Sequence, residues 1–312
     1  MKIEHLGIHF KRTNRMMRAL HSLILTVLAS FLLTSPLFSQ TAKKGPRIKT
    51  IIIDAGHGGK DVGARGDYST EAQITLEVAL RLDTLLRQEL PSTRIVMTRN
   101  TDIYHSPTEK ANIANRENGD LFICIHVNAA PDRKIVVGHK KVAYYVGKGK
   151  KRKKLYKNQP IYVKAENPIH GSSTYVFAAD RGDEKAEGLA NDNRFESEAE
   201  VEDVPDPQSP EAIIKARLWT QKFFKNSVRL GTMIENEFVN TGRPSLGVLQ
   251  RNWKGIWVLQ ATNMPAVLIE TGYITNKDEE AYLNSENGQK EMTRAIANAI
   301  ITYKQQVDGP IQ

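Results

Sequence analysis

The chain has 312 residues, of which 40% are hydrophobic and 25% are charged, a composition typical of a globular protein and not of a disordered one. Its formal net charge is +9, and it is +5 without residues 1–39, which carry five basic residues and one acidic; this balance suits an anionic partner without requiring nucleic acid. Cys124 is the single cysteine, which excludes a fold built on internal disulfides.

The first 39 residues have the features of an export signal. Five basic residues precede position 20, and a largely apolar run follows at 23–33. This run is shorter than the roughly 20 residues that cross a bilayer, so the pattern favours a signal peptide over 1–39, with an uncleaved anchor as the alternative. We therefore expect export to the periplasm or cell envelope, a short linker at 40–47 and no membrane span after cleavage.

Strands and helices alternate after the linker. The β-branched run at 49–54 predicts a buried strand, and Thr70 precedes a helix with one apolar face. A strand is predicted at 94–99, a helix at 107–118 and a further strand at 121–126. This alternation predicts an α/β fold of three layers, in which helices cover both faces of a largely parallel or mixed central sheet.

Two oppositely charged blocks occupy the middle of the chain. Residues 134–165 contain eleven basic residues and no acidic one, whereas residues 180–206 contain eleven acidic and three basic ones. Such blocks indicate surface insertions, at about 134–165 and about 180–208, within one domain at 48–306. The basic insertion has three open interpretations: it binds an anionic envelope polymer, pairs with the acidic block, or forms a solvated loop. Nucleic-acid binding is not expected, because no recognition element is present.

The remaining elements complete the predicted fold. Residues 210–242 predict a long amphipathic helix that carries Ile214 and Leu218 on its apolar face. A buried strand is predicted at 266–270 and a last helix at about 288–304.

Polar side chains stand at the ends of three predicted strands. His57 follows the first strand, His126 closes the third and Glu270 closes the last. Because the carboxyl ends of neighbouring strands face one crevice, we expect these side chains to lie close together, with Glu71 of the first helix in reach. Two imidazoles and one carboxylate are a typical catalytic zinc set, and a second carboxylate can move the proton of a water.

Each of these residues also has a simpler interpretation when it is taken alone. A single histidine is more often a surface or packing residue than a metal ligand. Glu71 has the position of a helix N-terminal carboxylate that interacts with the helix dipole, and Glu270 that of the first solvated residue after a strand. The residues by themselves leave a metal site and these alternatives open.

Several segments together resemble one enzyme family. The strand-end motif Ile-Asp-Ala-Gly-His-Gly-Gly-Lys-Asp is at 53–61, and the motif Leu-Ile-Glu-Thr-Gly-Tyr lies within a matching segment at 264–276. Further matching segments are at 70–71, 98–102, 114–115 and 120–129. In this order they resemble the zinc-dependent N-acetylmuramoyl-L-alanine amidases, the type that includes the bacterial cell-separation amidases.

The resemblance implies an activity and a set of site residues. It implies a peptidoglycan hydrolase that cleaves the amide between N-acetylmuramic acid and L-alanine during cell-wall remodelling or daughter-cell separation, with one Zn²⁺ per chain. A zinc peptidase that cuts within the stem peptide and a non-catalytic peptidoglycan-binding protein are the alternatives. The implied residues are His57, Glu71 and His126 as zinc ligands, Glu270 as the catalytic glutamate, and Arg99 and Asn128 as supporting residues.

Two departures from the family pattern concern the surroundings of the site. Ala72 stands where a lysine usually follows the glutamate ligand, and the basic block is longer than the family's usual connection. The acidic block begins like the insertion that covers the active site in cell-separation members. We therefore expect either an occluding segment, with Glu184 or Glu187 near the metal until a protein activator displaces it, or a solvated acidic loop.

Overall fold

The computed structural model describes residues 47–182, 185–186, 210–251 and 255–309. The strands of this part are, in chain order, β1 Thr50–Ala55, β2 Arg94–Met97, β3 Leu121–Asn128, β4 Arg133–Val146, β5 Lys153–Ala165, β6 Ser172–Val176, β7 Ser245–Gln250 and β8 Ala266–Tyr273. The helices used below are α1 Glu71–Glu89, α2 Pro107–Arg116, α3 Pro210–Asn240, α4 Trp257–Ala261, α5 Lys277–Asn284 and α6 Glu286–Asp308.

A mixed sheet of six strands is the centre of the described structure, in the order β2-β1-β3-β8-β6-β7. The strands β2, β1, β3 and β8 are mutually parallel, whereas β6 runs antiparallel to β8 and parallel to β7. Helices pack on both faces, because Ile51 and Ile53 of β1 join one apolar cluster with α1 and α6 while Ile52 joins another with α2 and α4. The predicted three-layer α/β fold is confirmed.

Most predicted elements are present with shifted ends. The strand predicted at 94–99 ends at Met97, the helix predicted at 107–118 ends at Arg116, and the strand predicted at 121–126 continues to Asn128. The helix ends early because Asn118 takes a left-handed conformation, with φ at 52°. A residue in that conformation is a common terminator of helices.

Strands β6 and β7 were not predicted from the sequence. Both are short, and four of their residues are serine or threonine, which do not resemble a buried apolar strand. The buried Glu235 of α3 binds three of these hydroxyls: Ser172 Oγ, Thr174 Oγ1 and Ser245 Oγ donate to its carboxylate over 2.8, 2.6 and 2.6 Å. A polar partner from helix α3 therefore replaces the apolar packing that sequence patterns detect.

The basic block is an ordered β-ribbon and not a solvated loop. β4 and β5 pair antiparallel from Arg133 opposite Ala165 to Val146 opposite Lys153, with a bulge between Val136 and Gly138. We refer to residues 133–165 as the basic ribbon. The interpretation as a solvated loop is wrong because 13 residue pairs form an antiparallel ladder in this segment.

Two other expectations concern the first turns of helix α3 and the segments at 1–39 and about 180–208. Helix α3 is present, but Ile214 and Leu218 are 59% and 61% exposed, so its first turns do not bury the predicted apolar face. The predicted signal peptide and most of the acidic block, including Glu184 and Glu187, lie outside the described residues. Within the described residues, no helix is both long and apolar enough for a membrane crossing.

Candidate metal centre

His57 stands in a tight loop directly after β1. Its backbone has φ at 58°, which is rare for a residue with a side chain, and Gly58 continues the turn with φ at 122°. A Cβ at Gly58 would lie 2.3 Å from the carbonyl oxygen of Ile103, so glycine is required there. Asp61 closes the loop, because its backbone exchanges hydrogen bonds with Gly58 and its Oδ2 lies 2.9 Å from His57 Nδ1.

Glu71 is the first residue of α1 and lies between the two histidines. Its Oε2 is 3.1 Å from His57 Nε2 and its Oε1 is 2.8 Å from His126 Nδ1. The backbone amides of Ala64 and Val127 also donate to this carboxylate. Burial alone would raise the pKa of Glu71, but the hydrogen bonds with His126 and His57 hold that pKa well below its usual range. Glu71 is therefore a fixed, ionised carboxylate.

The sheet places the second histidine beside the second carboxylate. His126 of β3 and Glu270 of β8 are direct partners in the parallel register. The rings of His57 and His126 meet edge to face, with their centroids 4.9 Å apart. The expectation that the carboxyl ends of β1, β3 and β8 bring these side chains together is confirmed.

These donor atoms fit a small metal ion. One donor atom each from His57, Glu71 and His126 lies within 4.8 Å of the others. Two ligand atoms of a tetrahedral zinc, each at about 2.0–2.1 Å, are about 3.3 Å apart, close to the 3.1 Å between His57 Nε2 and Glu71 Oε2. Asp61 holds the other ring nitrogen of His57, as carboxylates commonly do behind a metal-ligating histidine. The donor set and its support therefore suit zinc.

A second close group, formed by Asp54, Cys124 and His126, suits a metal less well. Asp54 already faces the ammonium of Lys110 at 3.0 Å and accepts a hydrogen bond from Thr98. Burial raises the pKa of the Cys124 thiol well above its ordinary value, so the thiolate that a metal requires is disfavoured. This group is a buried, internally neutralised support beneath the His57 loop.

Glu270 faces the same crevice with one enclosed oxygen. The residue as a whole is partly exposed, but its Oε2 is buried and has no hydrogen-bond partner among the described residues. Burial raises the pKa of Glu270 to about 7. A carboxylate with a pKa in this range can both accept and return a proton near neutral pH.

The two predicted supporting residues have different surroundings. Arg99 is buried, and its guanidinium donates to the carbonyl oxygens of Ala55, Gly56 and Ala72, so it fixes the His57 loop from below. Asn128 accepts a hydrogen bond from the amide of its neighbour Ala129. A role of either residue at the metal stays a prediction.

Asp61 and Glu280 support the site but were not predicted from the sequence. Asp61 had a usable signal, because it follows His57 by four residues in the same motif. No sequence pattern pointed to Glu280, because its hydrogen-bond partners are more than 200 positions away in the chain. Its carboxylate accepts hydrogen bonds of 2.7 to 3.0 Å from the backbone amides of Asp67, Tyr68 and Ser69 and from the hydroxyl of Ser69.

Glu280 stabilises the loop that leads into Glu71, the predicted metal ligand. That loop is anchored at Ala64 and Glu71, since the amide of Glu71 donates to Ala64 O and the amide of Ala64 to Glu71 Oε2. Replacement Glu280→Gln exchanges an acceptor oxygen for a donor in a site where all contacts are donors. We expect an affinity for zinc lower by about tenfold, as for other residues that support a metal ligand.

Zinc titration followed by thermal unfolding measures this effect. Glu279→Gln is the matched control, because the adjacent Glu279 is also buried but binds the amides of Gly171 and Tyr273 instead. The control should lower the melting temperature without the same loss of zinc affinity. Equal zinc affinity in Glu280→Gln and in the unmodified chain would contradict the assigned role.

Comparison with known proteins adds an independent finding. A profile of the N-acetylmuramoyl-L-alanine amidase family matches residues 51–302. N-acetylmuramoyl-L-alanine amidase AmiC of Escherichia coli is 26% identical over 254 residues, covering 81% of this chain and 52% of that protein. AmiA of Escherichia coli is 26% identical over 273 residues, covering 84% of this chain and 78% of that protein. The chain thus spans about half the length of AmiC.

A solved structure has the same fold. The crystal structure of an N-acetylmuramoyl-L-alanine amidase from Clostridium difficile superimposes with a TM-score of 0.53 at 21% identity, over 83% of this chain and 97% of that one. The family profile spans every strand of the central sheet from β1 to β8, together with His57, Glu71, His126 and Glu270. The chain therefore belongs to the N-acetylmuramoyl-L-alanine amidase family.

Proposed function

We propose that this chain hydrolyses the amide bond between N-acetylmuramic acid and the L-alanine of the stem peptide in peptidoglycan. One observation carries the proposal: three donor atoms of His57, Glu71 and His126 lie within 4.8 Å of one another, beside the enclosed carboxylate of Glu270. Membership of the amidase family supports the choice of bond.

The proposed mechanism assigns each side chain a task. His57, Glu71 and His126 would hold one zinc ion, which would polarise the scissile carbonyl and acidify a water. Asp61 accepts from His57 Nδ1 and so keeps Nε2 free as the donor atom toward the metal. Glu270 takes the proton of the attacking water at its carboxylate and delivers it to the departing nitrogen of L-alanine.

The proposal extends to the organisation of the chain. We propose a signal peptide at 1–39, a linker at 40–47 and a catalytic domain at 48–306, with export to the periplasm or cell envelope, where peptidoglycan is found. The family match at 51–302 supports these domain limits. That the acidic block at about 180–208 occludes the metal through Glu184 or Glu187, and that a protein activator displaces it, stays a prediction from the sequence.

Mass spectrometry of the fragments released from purified sacculi tests the proposal. Free stem peptides that begin with L-alanine, together with intact glycan chains, are the expected products. Fragments in which L-alanine stays on muramic acid would instead identify a peptidase that cuts within the stem. Binding to sacculi without release of any fragment would identify a non-catalytic binding protein.

A further inference from the structure

The basic ribbon carries a large unbalanced charge. Residues 133–165 contain twelve basic residues and no acidic one, and six of the twelve lie in the turn region 148–154. Its two strands pair with each other, whereas the sheet that carries the metal site is formed by the other six described strands. The ribbon is therefore a basic projection from the described structure.

The ribbon also exposes large apolar side chains on both of its faces. Residues directly opposite in an antiparallel pair share a face, so Tyr144 and Leu155 lie on one face and Tyr145 lies on the other. The exposed apolar residues of the ribbon are Ile135, Val136, Val137, Tyr144, Tyr145, Val146, Leu155, Tyr156, Ile161, Tyr162 and Val163. An isolated two-stranded hairpin is marginally stable in water, and exposed apolar surface of this extent is typical of a binding surface.

Cations and aromatic rings are already combined on this surface. The guanidinium of Arg152 lies 4.2 Å from the centre of the Tyr145 ring, and Lys154 Nζ lies 5.5 Å from that of Tyr156. These two pairs are on the face of Tyr145, while Lys157 lies 5.9 Å from the Tyr144 ring on the opposite face. Each face thus offers a positive charge beside a flat ring, which suits a polymer with both carboxylates and sugar rings.

The base of the ribbon is fixed next to the metal centre. β4 begins five residues after β3 ends, and β5 leads into β6, where Ser173 pairs directly with Glu270. Asn167 Nδ2 donates to Pro131 O across the base, and the amide of Ala130 donates to Thr275 Oγ1 in the loop after β8. A polymer held along the ribbon would therefore be held close to the crevice of Glu270.

Charge and shape decide between the possible occupants of this surface. A second copy of the ribbon would bring twelve further positive charges against the first, which is repulsive. A bilayer core would have to accept the six basic residues of the turn region, at a high cost for each. A flat anionic membrane would contact one face and leave the rings and cations of the other unused.

We propose that the basic ribbon is a substrate-holding arm that binds peptidoglycan along both faces, through the carboxylates of its stem peptides and the sugar rings of its glycan strands. The identity of the polymer rests on the proposed function, whereas the preference for a polymer that combines carboxylates with sugar rings rests on the charges and rings of the ribbon. The arm raises the local concentration of glycan at the crevice without taking part in bond cleavage.

Pelleting with purified sacculi tests the proposal in the full chain. The assay uses Glu270→Gln as the background, so that the polymer is not digested. Replacing the five basic residues at 150–154 with glutamine should weaken binding by about tenfold, and should also reduce its dependence on salt. The matched control replaces five exposed basic residues outside the ribbon with glutamine: Lys49, Lys222, Lys225, Lys290 and Arg294.

Two further binding measurements keep the test independent of any folding defect. Sacculi whose carboxyl groups have been converted to amides should lose binding to the unmodified ribbon. Tyr145→Ser with Tyr156→Ser should weaken binding while all charges are kept. Equal pelleting of the ribbon variant and the control, or binding to phosphatidylglycerol vesicles in place of sacculi, would overturn the proposal.

A soluble substrate separates this proposal from the proposed function. With Glu270 restored, the ribbon variant should hydrolyse a small soluble muropeptide at the rate of the unmodified chain, because one short peptide does not need the arm. A loss of that activity in the ribbon variant alone would place the ribbon within the catalytic machinery. It would overturn the proposal that the ribbon only holds the substrate. If the unmodified chain also fails on the soluble substrate, the proposed function fails while the binding result still stands.

Discussion

Glu270→Gln is expected to slow amide hydrolysis by about 10²- to 10⁴-fold, the usual contribution of a positioned general acid and base. The variant keeps the size of the side chain but removes its ability to accept a proton. The enclosed position of Oε2 and the pKa near 7 are the reasons to expect an effect of this size. The rate is measured as new L-alanine amino termini released from sacculi.

Metal content distinguishes the loss of the base from the loss of the site. Glu270→Gln should retain one zinc per chain, because Glu71 and the two histidines are unchanged. Glu286→Gln is a suitable control, since Glu286 is 68% exposed and forms an ion pair with Lys290 on α6. A Glu270→Gln variant that digests sacculi at the rate of this control would refute the assignment of Glu270.

Lys110→Met is expected to lower the free energy of unfolding by about 3–5 kcal/mol, the usual result of breaking a buried ion pair from one side. Lys110 Nζ lies 3.0 Å from Asp54 Oδ1 and donates to Ala55 O, and the two side chains are 6% and 1% exposed. The substitution leaves the Asp54 carboxylate buried without its cation. It also removes a support of the strand end that carries His57.

The loss of stability in Lys110→Met should depend on pH in one direction. Burial alone would raise the pKa of Asp54, but Lys110, Cys124 and Thr98 lower it below its ordinary value. The contribution of the ion pair is therefore complete above the unfolded-state pKa near 3.9, and is lost as pH falls through the lower folded pKa. The difference in the free energy of unfolding between Lys110→Met and the unmodified chain should therefore become smaller at acidic pH.

Chemical denaturation at two pH values measures both effects. Lys290→Met is the matched control, because the Lys290–Glu286 pair is 61% and 68% exposed and should contribute less than about 1 kcal/mol. Equal stability of Lys110→Met and Lys290→Met at neutral pH would show that the buried pair does not support the fold as described.

The parallel half of the sheet and the site on it follow from the sequence for a physical reason. Strands buried on both faces are continuous in β-branched and apolar residues, as in Ile51, Ile52 and Ile53, and parallel strands end at a common edge. A polar residue directly after such a run is therefore placed at that edge. This strand pattern alone predicted that His57, His126 and Glu270 lie close together. Their predicted roles came from the family resemblance.

Features that depend on a buried carboxylate shared by several polar groups were not predictable. Strands β6 and β7 rest on the carboxylate of Glu235, and the loop before Glu71 rests on that of Glu280. Neither contact leaves a periodic pattern, because a single carboxylate satisfies several backbone or hydroxyl donors. The basic ribbon was recognised in the sequence as a block of positive charge, but not as two strands. Its lysines, tyrosines and valines can be assigned to two paired strands only when the register is known.

Zinc analysis of the purified, folded protein tests the convergence of His57, Glu71 and His126 most directly. One zinc per chain is expected in the unmodified protein and in His139→Ala with His170→Ala, which replaces two exposed histidines outside the crevice. The double variant His57→Ala with His126→Ala should fold but bind no stoichiometric zinc. Zinc bound equally tightly by that double variant, or no zinc in the unmodified protein, would contradict the account.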